Sequence, residues 1–149
     1  MEDKKVNWEY FELSVDVPGM DHISSIIQNS QEFIIETYGY KQDRAIIIFN
    51  TASIVTFRKM KTQDTYNFKN DDGSYAGLIS VSDNSHFLEW YKSVDLFGYI
   101  KDPKFRETWK CRSYALHTDS DVMEVISLAP PKVFYCGSNI AVEKEEKDK

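Results

Sequence analysis

Several features that would identify a class of protein are scarce or missing in this sequence. The 149 residues include only two cysteines, four prolines and six glycines, and the densest apolar run is the five-residue segment 45–49. A run of that length cannot cross a bilayer. No apolar segment follows the charges of the first ten residues, so we expect no signal peptide. These absences predict a cytoplasmic protein with no membrane partner.

Residues that could hold a metal or a cofactor are also few. Cys111 and Cys136 match no metal-ligand spacing and are expected to be free, buried thiols in a reducing compartment. The only three histidines, His22, His86 and His117, lie in no recognisable catalytic motif, and no glycine-rich phosphate loop is present. We therefore predict no metal, no cofactor and no catalytic residue, and we favour a binding protein over an enzyme.

The composition that is present belongs to a globular protein. Hydrophobic residues make up 42% of the chain and aromatic residues 14%, and the formal net charge is −6. This length suits a single domain, which we assign to residues 1–142, with residues 143–149 as a charged, flexible tail. The net negative charge disfavours direct binding to nucleic acid, because phosphate contacts need clustered lysine and arginine.

The first forty residues predict a strand followed by a helix. Apolar and polar residues alternate from 11 to 17, which is typical of a half-buried strand. Met20, Ile23 and Ile27 then recur at helical spacing, and Asp21 is a suitable helix cap. Residues 31–38 fit either a continuation of that helix or a separate strand, and the sequence leaves both open.

The rest of the chain predicts strands around one further helix. We expect strands at 44–50 and 53–61, a hairpin at 64–82, and a helix at 82–97 capped by Asp83 or Ser85. A second hairpin follows at 114–128, with its turn at 119–121, and an edge strand at 130–136. The fold class is α+β, a largely antiparallel sheet with two main helices.

The second half of the chain resembles the vicinal oxygen chelate superfamily, which includes glyoxalases and bleomycin-resistance proteins. The likeness is carried by "GLISVSDNSHFLEWYKS", "GYIKDPKF" and "RSYALHTDSDVMEVIS". The resemblance implies two βαβββ halves and, in the enzymes, a divalent metal held by His and Glu. Glu124 occupies one ligand position, but the strands at 75–82 and 53–60 supply no His or Glu.

The resemblance therefore implies a non-metal protein that binds a small molecule, with a homodimer as an allowed state. The aromatic cleft that it implies would be lined by Trp90, Trp109, Tyr114 and Glu124. Read from its own strand, Glu124 is expected to point outward as a structural residue, in a hairpin with a hydrated tip.

The most uneven feature of the sequence is its charge. Residues 6–40 contain no lysine or arginine but six carboxylates, at Glu9, Glu12, Asp16, Asp21, Glu32 and Glu36. If these side chains share one face, they would attract a cationic partner and speed its association. The sequence thus predicts a small acidic binding protein of the immunity or inhibitor type, with a basic protein as its partner.

Overall fold

The computed structural model of the protein describes residue 6 and residues 8–61, 78–94 and 111–137. In these ranges there are nine strands, one short 3-10 helix and one α-helix. In chain order they are β1 Glu9–Tyr10, β2 His22–Gln28, β3 Glu32–Tyr38, β4 Arg44–Asn50, the 3-10 helix Thr51–Ser53, β5 Ile54–Lys61, β6 Ile79–Ser82, α1 His86–Ser93, β7 Arg112–His117, β8 Asp121–Ser127 and β9 Lys132–Cys136.

The strands form two antiparallel sheets. The first sheet has the order β1-β6-β7-β8-β5 and the second has the order β2-β3-β4-β9. Every strand pair in both sheets is antiparallel. The α+β class with a largely antiparallel sheet is therefore confirmed, and β9 lies at an edge as its prolines predict.

The two sheets pack face to face around the main core. In β3 and β4 the buried and half-buried residues alternate, which places every second side chain against the first sheet. Phe33, Ile35, Ile47 and Phe49 from the second sheet meet one face of β6, β7 and β8. We call this the inner face of each sheet, and the opposite side its outer face.

Helix α1 covers part of the outer face of the first sheet. Phe87 and Leu88 of the helix pack with Cys111 and Ile126, and Tyr91 lies against the same cluster. A second cluster on this face joins Trp8 to Ala115 and Val122. Strand β6 is buried on both faces and β8 nearly so, which is why their burial does not alternate. Ser85 caps the helix, as the sequence predicts.

The helix predicted from Met20 to Gln28 is wrong, because this segment forms strand β2. The predicted helix placed Ile23 and Ile27 on one face, but in β2 they pair with Thr37 and Ile34 and therefore face opposite sides of the sheet. A bulge between Ile23 and Ser25 shifts the alternation, which hides the strand pattern in the sequence. The expected pair of main helices, and with it the first βαβββ half, is therefore not found in the described residues, whereas 31–38 is settled as strand β3.

The strand predicted from Phe11 to Val17 is also wrong. Only Glu9–Tyr10 counts as strand β1, and one further backbone hydrogen bond joins Phe11 N to Ile79 O at 3.0 Å. Beyond it the chain bends at Ser14 and Val15, and Val15 is 40% exposed, so the alternation expected from sequence does not hold there. Phe11, Leu13 and Val17 still pack against the main core. We call residues 11–17 the crossing segment.

Other predictions hold or lie outside the described residues. The hairpin at 114–128 is confirmed as β7 and β8, and its turn is held by Thr118, whose Oγ1 accepts from Asp121 N at 2.9 Å. In the predicted hairpin at 64–82, the strand Ile79–Ser82 is described, and residues 64–77 lie outside. The tail at 143–149 is outside as well. Within the described ranges, no helix is long and apolar enough to cross a membrane.

Candidate functional site

Glu124 is buried under α1 and is the centre of a polar cluster on the outer face of the first sheet. Its carboxylate is only 1% exposed, which contradicts the outward orientation expected from sequence. Arg58 Nη2 on the neighbouring strand β5 donates to Oε1 at 3.3 Å, and Ser85 Oγ donates to Oε2 at 3.2 Å. Ser113 is fully buried nearby but makes no hydrogen bond of good geometry in the described part of the chain.

Burial raises the pKa of Glu124 because the charged carboxylate has lost its water. The Arg58 guanidinium and the hydroxyls of Ser113 and Ser85 act in the opposite direction and favour the charged form. Arg58 is itself about a third exposed and lies over the Phe87 ring, 4.5 Å from its centroid. This cluster therefore ties β5, β8 and α1 together through one carboxylate.

A second polar pair lies on the same outer face. His117 Nε2 and Ser80 Oγ share a hydrogen bond of 3.0 Å. Burial lowers the pKa of His117 to about 4, so the imidazole is neutral at physiological pH. Neutral histidine beside a serine hydroxyl is the arrangement of a base and a nucleophile. Ser80, however, is fully buried in the middle of a strand, so a substrate has no access to it.

We assign no catalytic role to either cysteine. Both are free, as predicted, but only Cys111 is buried, whereas Cys136 is exposed at the end of β9. Burial raises the pKa of Cys111 to about 11, which keeps it a thiol at neutral pH. The described residues contain no group of three or more His, Cys, Asp or Glu side chains that could hold a metal ion.

The structure separates the residues that were expected to line an aromatic cleft. Tyr114 lies on the inner face, where its ring meets Phe49 edge-on at 5.7 Å, whereas Glu124 lies on the outer face. Trp90 is 56% exposed on α1 and stacks on Phe87. Trp109 is outside the described residues. Tyr114 and Glu124 therefore do not line one cavity.

The six carboxylates of the acidic region lie on several elements. Glu9 is exposed on β1, Glu12 and Asp16 are exposed on the crossing segment, and Glu32 is exposed at the start of β3. The other two have partners: Asp21 Oδ2 lies 2.9 Å from His22 Nδ1, and Glu36 Oε1 accepts from Arg44 at 3.1 Å. In the described part of the chain, no ion pair is formed by Glu12, Asp16 or Glu32.

Two shallow grooves border these acids. One of about 350 Å³ lies between the crossing segment at 11–14 and the edge strand at 131–134, with Glu12 and Lys132 both in its lining. Another of about 290 Å³ brings Glu9 close to Asp83, which pairs with Arg112 Nε at 2.6 Å. Both grooves are open and contain charges of both signs, which does not fit a closed small-molecule pocket.

Sequence reasoning missed the partners of Glu124. Arg58 falls within a predicted strand and Ser85 at a predicted helix cap, 66 and 39 residues from Glu124, and no spacing in the sequence connects either of them with Glu124. One signal was present: Glu124 lies between Val122 and Ile126 in an apolar alternation. No protein-family model, curated protein or solved structure matches the chain. The vicinal oxygen chelate resemblance therefore stays a prediction.

Proposed function

We propose that this chain is a small acidic binding protein that covers a basic partner protein, in the manner of an immunity protein or inhibitor. One observation carries the proposal: Glu12 and Asp16 are exposed on the crossing segment and form no ion pair in the described part of the chain. Unpaired surface carboxylates remain available to a partner. Paired ones, such as Glu36 with Arg44, are already neutralised.

The crossing segment is anchored to the core at three points. Phe11 packs its ring edge-on against Tyr114 at 5.7 Å, and Leu13 and Val17 lie against the same core. Glu12 lies between two anchored neighbours, whereas Asp16 is anchored only through Val17, because Val15 is 40% exposed. The anchoring of Glu12 supports binding because a carboxylate that is already positioned loses less conformational entropy on association.

The distribution of charge over the whole chain supports the same proposal. The acidic region contributes six carboxylates and no cation, while the full sequence has 24 acidic and 18 basic side chains. The net charge of −6 thus equals the charge of residues 6–40 alone. These acids lie on several elements, and those that form no ion pair in the described part of the chain, Glu12, Asp16 and Glu32, would attract a cationic partner and raise the association rate.

The test compares two charge reversals of equal size. A partner is first captured on the purified protein at low salt, identified, and prepared in pure form. Its association rate constant is then measured with the unchanged protein, with Glu12→Lys and with Glu89→Lys. Glu89 serves as the control: it is exposed on α1, a different element, and lies 4.0 Å from Lys92 Nζ.

We expect Glu12→Lys to slow association about tenfold at low salt and Glu89→Lys to leave it within about twofold. Adding Asp16→Lys to Glu12→Lys should slow association further, and high salt should reduce the difference, because screening weakens long-range steering. Equal rates for Glu12→Lys and Glu89→Lys, or a captured partner without a basic surface, would overturn the proposal.

A further inference from the structure

The outer face of the second sheet is open in the described part of the chain. There, α1 packs on the first sheet, whereas no described element packs on the outer face of the second. Ile27 at one edge and Phe134 at the other are each 51% exposed. Between them lie Ile34, Ile46 and Ile48, which are half-buried. The strand register makes these five side chains one continuous apolar stripe.

Two acidic and two basic side chains border this apolar stripe. Glu36 and Arg44 lie on the same face and pair with each other at 3.1 Å. Glu32 on β3 and Lys132 on β9 are exposed on that face, and neither forms an ion pair in the described part of the chain. Two acids and two bases therefore surround the stripe, which is unlike the purely acidic crossing segment.

We propose that the outer face of the second sheet is a homodimer contact, on which a second copy packs its own outer face about a two-fold axis along β4. The rotation places β9 of one copy over β3 of the other, because these strands lie on either side of β4. Ile46 and Ile48 then meet their own counterparts at the axis.

The same rotation pairs the two free charges. Lys132 pairs with Ile48, and Ile48 pairs with Ile34, so Lys132 and Ile34 lie at the same height along the strands. Glu32 precedes Ile34 by two residues in β3 and therefore lies on the same face, one step further along the strand. One such step is about 6.6 Å, which a lysine side chain can span. Each dimer therefore contains two contacts between Lys132 of one copy and Glu32 of the other. This complementarity is the reason that the occupant is a second copy and not a basic partner.

The size of the face makes the dimer weak. About this axis β3, β4 and β9 of the two copies overlap, whereas β2 lies beyond the contact. Three strands about 4.8 Å apart and up to seven residues long cover roughly 10 by 23 Å, which is smaller than a standard protein interface. We therefore expect an equilibrium between monomer and dimer that depends on concentration. Sedimentation equilibrium over a range from about 10 μM to about 1 mM covers affinities of this class.

Charge reversal in the two copies tests the geometry. Lys132→Glu and Glu32→Lys should each weaken self-association about tenfold or more, because each variant places like charges together twice. An equimolar mixture of the two variants should recover most of the original association, since every contact again joins an acid to a base. Phe134→Ser should weaken the dimer in all samples, whereas Trp90→Ser removes an equally exposed aromatic from α1 and should not.

Three results would overturn the proposal. They are a monomer at every concentration, single variants that associate as well as the unchanged protein, and a mixture that associates no better than either variant. A mixture that associates no better than either variant is also the result expected if another segment of the same chain, or a different protein, covers this face. Phe134→Ser changes no charge, so this variant tests self-association separately from the charge-dependent binding of a basic partner.

Discussion

Ser85 connects the first turn of α1 to the buried carboxylate of Glu124. Its Oγ accepts a hydrogen bond from Leu88 N at 3.1 Å and donates one to Glu124 Oε2 at 3.2 Å. This one hydroxyl therefore provides a hydrogen-bond partner both for the Leu88 amide, which has none within the helix, and for the buried carboxylate of Glu124. The position of the helix on the first sheet depends on this link.

Substitutions of Ser85 should separate its two roles. Ser85→Ala removes both hydrogen bonds and should lower the free energy of unfolding by about 1–2 kcal/mol. Ser85→Asp keeps a good helix cap but places a second carboxylate against Glu124, so we expect it to be less stable than Ser85→Ala at neutral pH. Urea unfolding at neutral and acidic pH measures this order. An aspartate variant as stable as the unchanged protein would contradict the donated hydrogen bond.

Removal of the Arg58 guanidinium should leave Glu124 buried without its cation. Arg58→Met should lower the free energy of unfolding by about 2 kcal/mol at neutral pH, less than for a fully buried pair because Arg58 is partly exposed. Lys59→Met, the control on the same strand, breaks an ion pair with Asp121 in which the lysine is 43% exposed, and should cost at most about 1 kcal/mol. Equal losses in the two variants would argue that Arg58 does not compensate Glu124.

The buried His117 should make stability depend on pH. Its pKa is lowered from 6.5 to about 4, so the unfolded chain binds a proton in this interval while the folded protein does not. The free energy of unfolding should therefore fall as the pH drops from 6.5 towards 4, by up to about 3 kcal/mol. Denaturation across this range should show a flatter profile for His117→Asn than for the unchanged protein.

Two other groups provide internal checks on this pH dependence. Glu124 acts with the opposite sign: its pKa is raised, so its contribution is present at low pH and is lost as the pH rises through the folded value. Glu124→Gln should therefore steepen the acid loss. His86, which is exposed on α1, is the matched control: comparison of His86→Asn with His117→Asn separates the effect of burial from the effect of removing any histidine. A profile that His117→Asn does not alter would refute the assignment.

Gly39 should be intolerant of any side chain. A Cβ at this position would fall on the carboxylate of Asp43, which also accepts from Tyr135 Oη at 2.7 Å and holds the turn between β3 and β4. Gly39→Ala should lower the free energy of unfolding by about 1–3 kcal/mol. Gly19→Ala, where nothing lies within 4 Å of the added carbon, should be nearly neutral. Thermal unfolding of both variants measures the difference.

The part of the fold that sequence predicted correctly is the part where local pattern and tertiary environment agree. Strand β4 is a short apolar run and was predicted as a strand, whereas the similar run in β3 fitted either a helix or a strand until the structure was known. The helix at His86–Ser93 has its cap at Ser85, and the hairpin of β7 and β8 has its polar turn. Where a bulge shifted the alternation, as at Ser24 in β2, the same method predicted a helix.

The amino-acid sequence by itself determined the antiparallel class, the capped helix, the final hairpin and the concentration of acids before residue 41, because periodicity, turn chemistry and charge are local properties. Only the tertiary structure decided that Glu124 is buried and which acids stay unpaired. Arg58 and Ser85 reach Glu124 from elements 66 and 39 residues away, and Arg44 neutralises Glu36 from the adjacent strand. Burial and ion pairing depend on which strands become neighbours, and that is fixed only when the two sheets pack together.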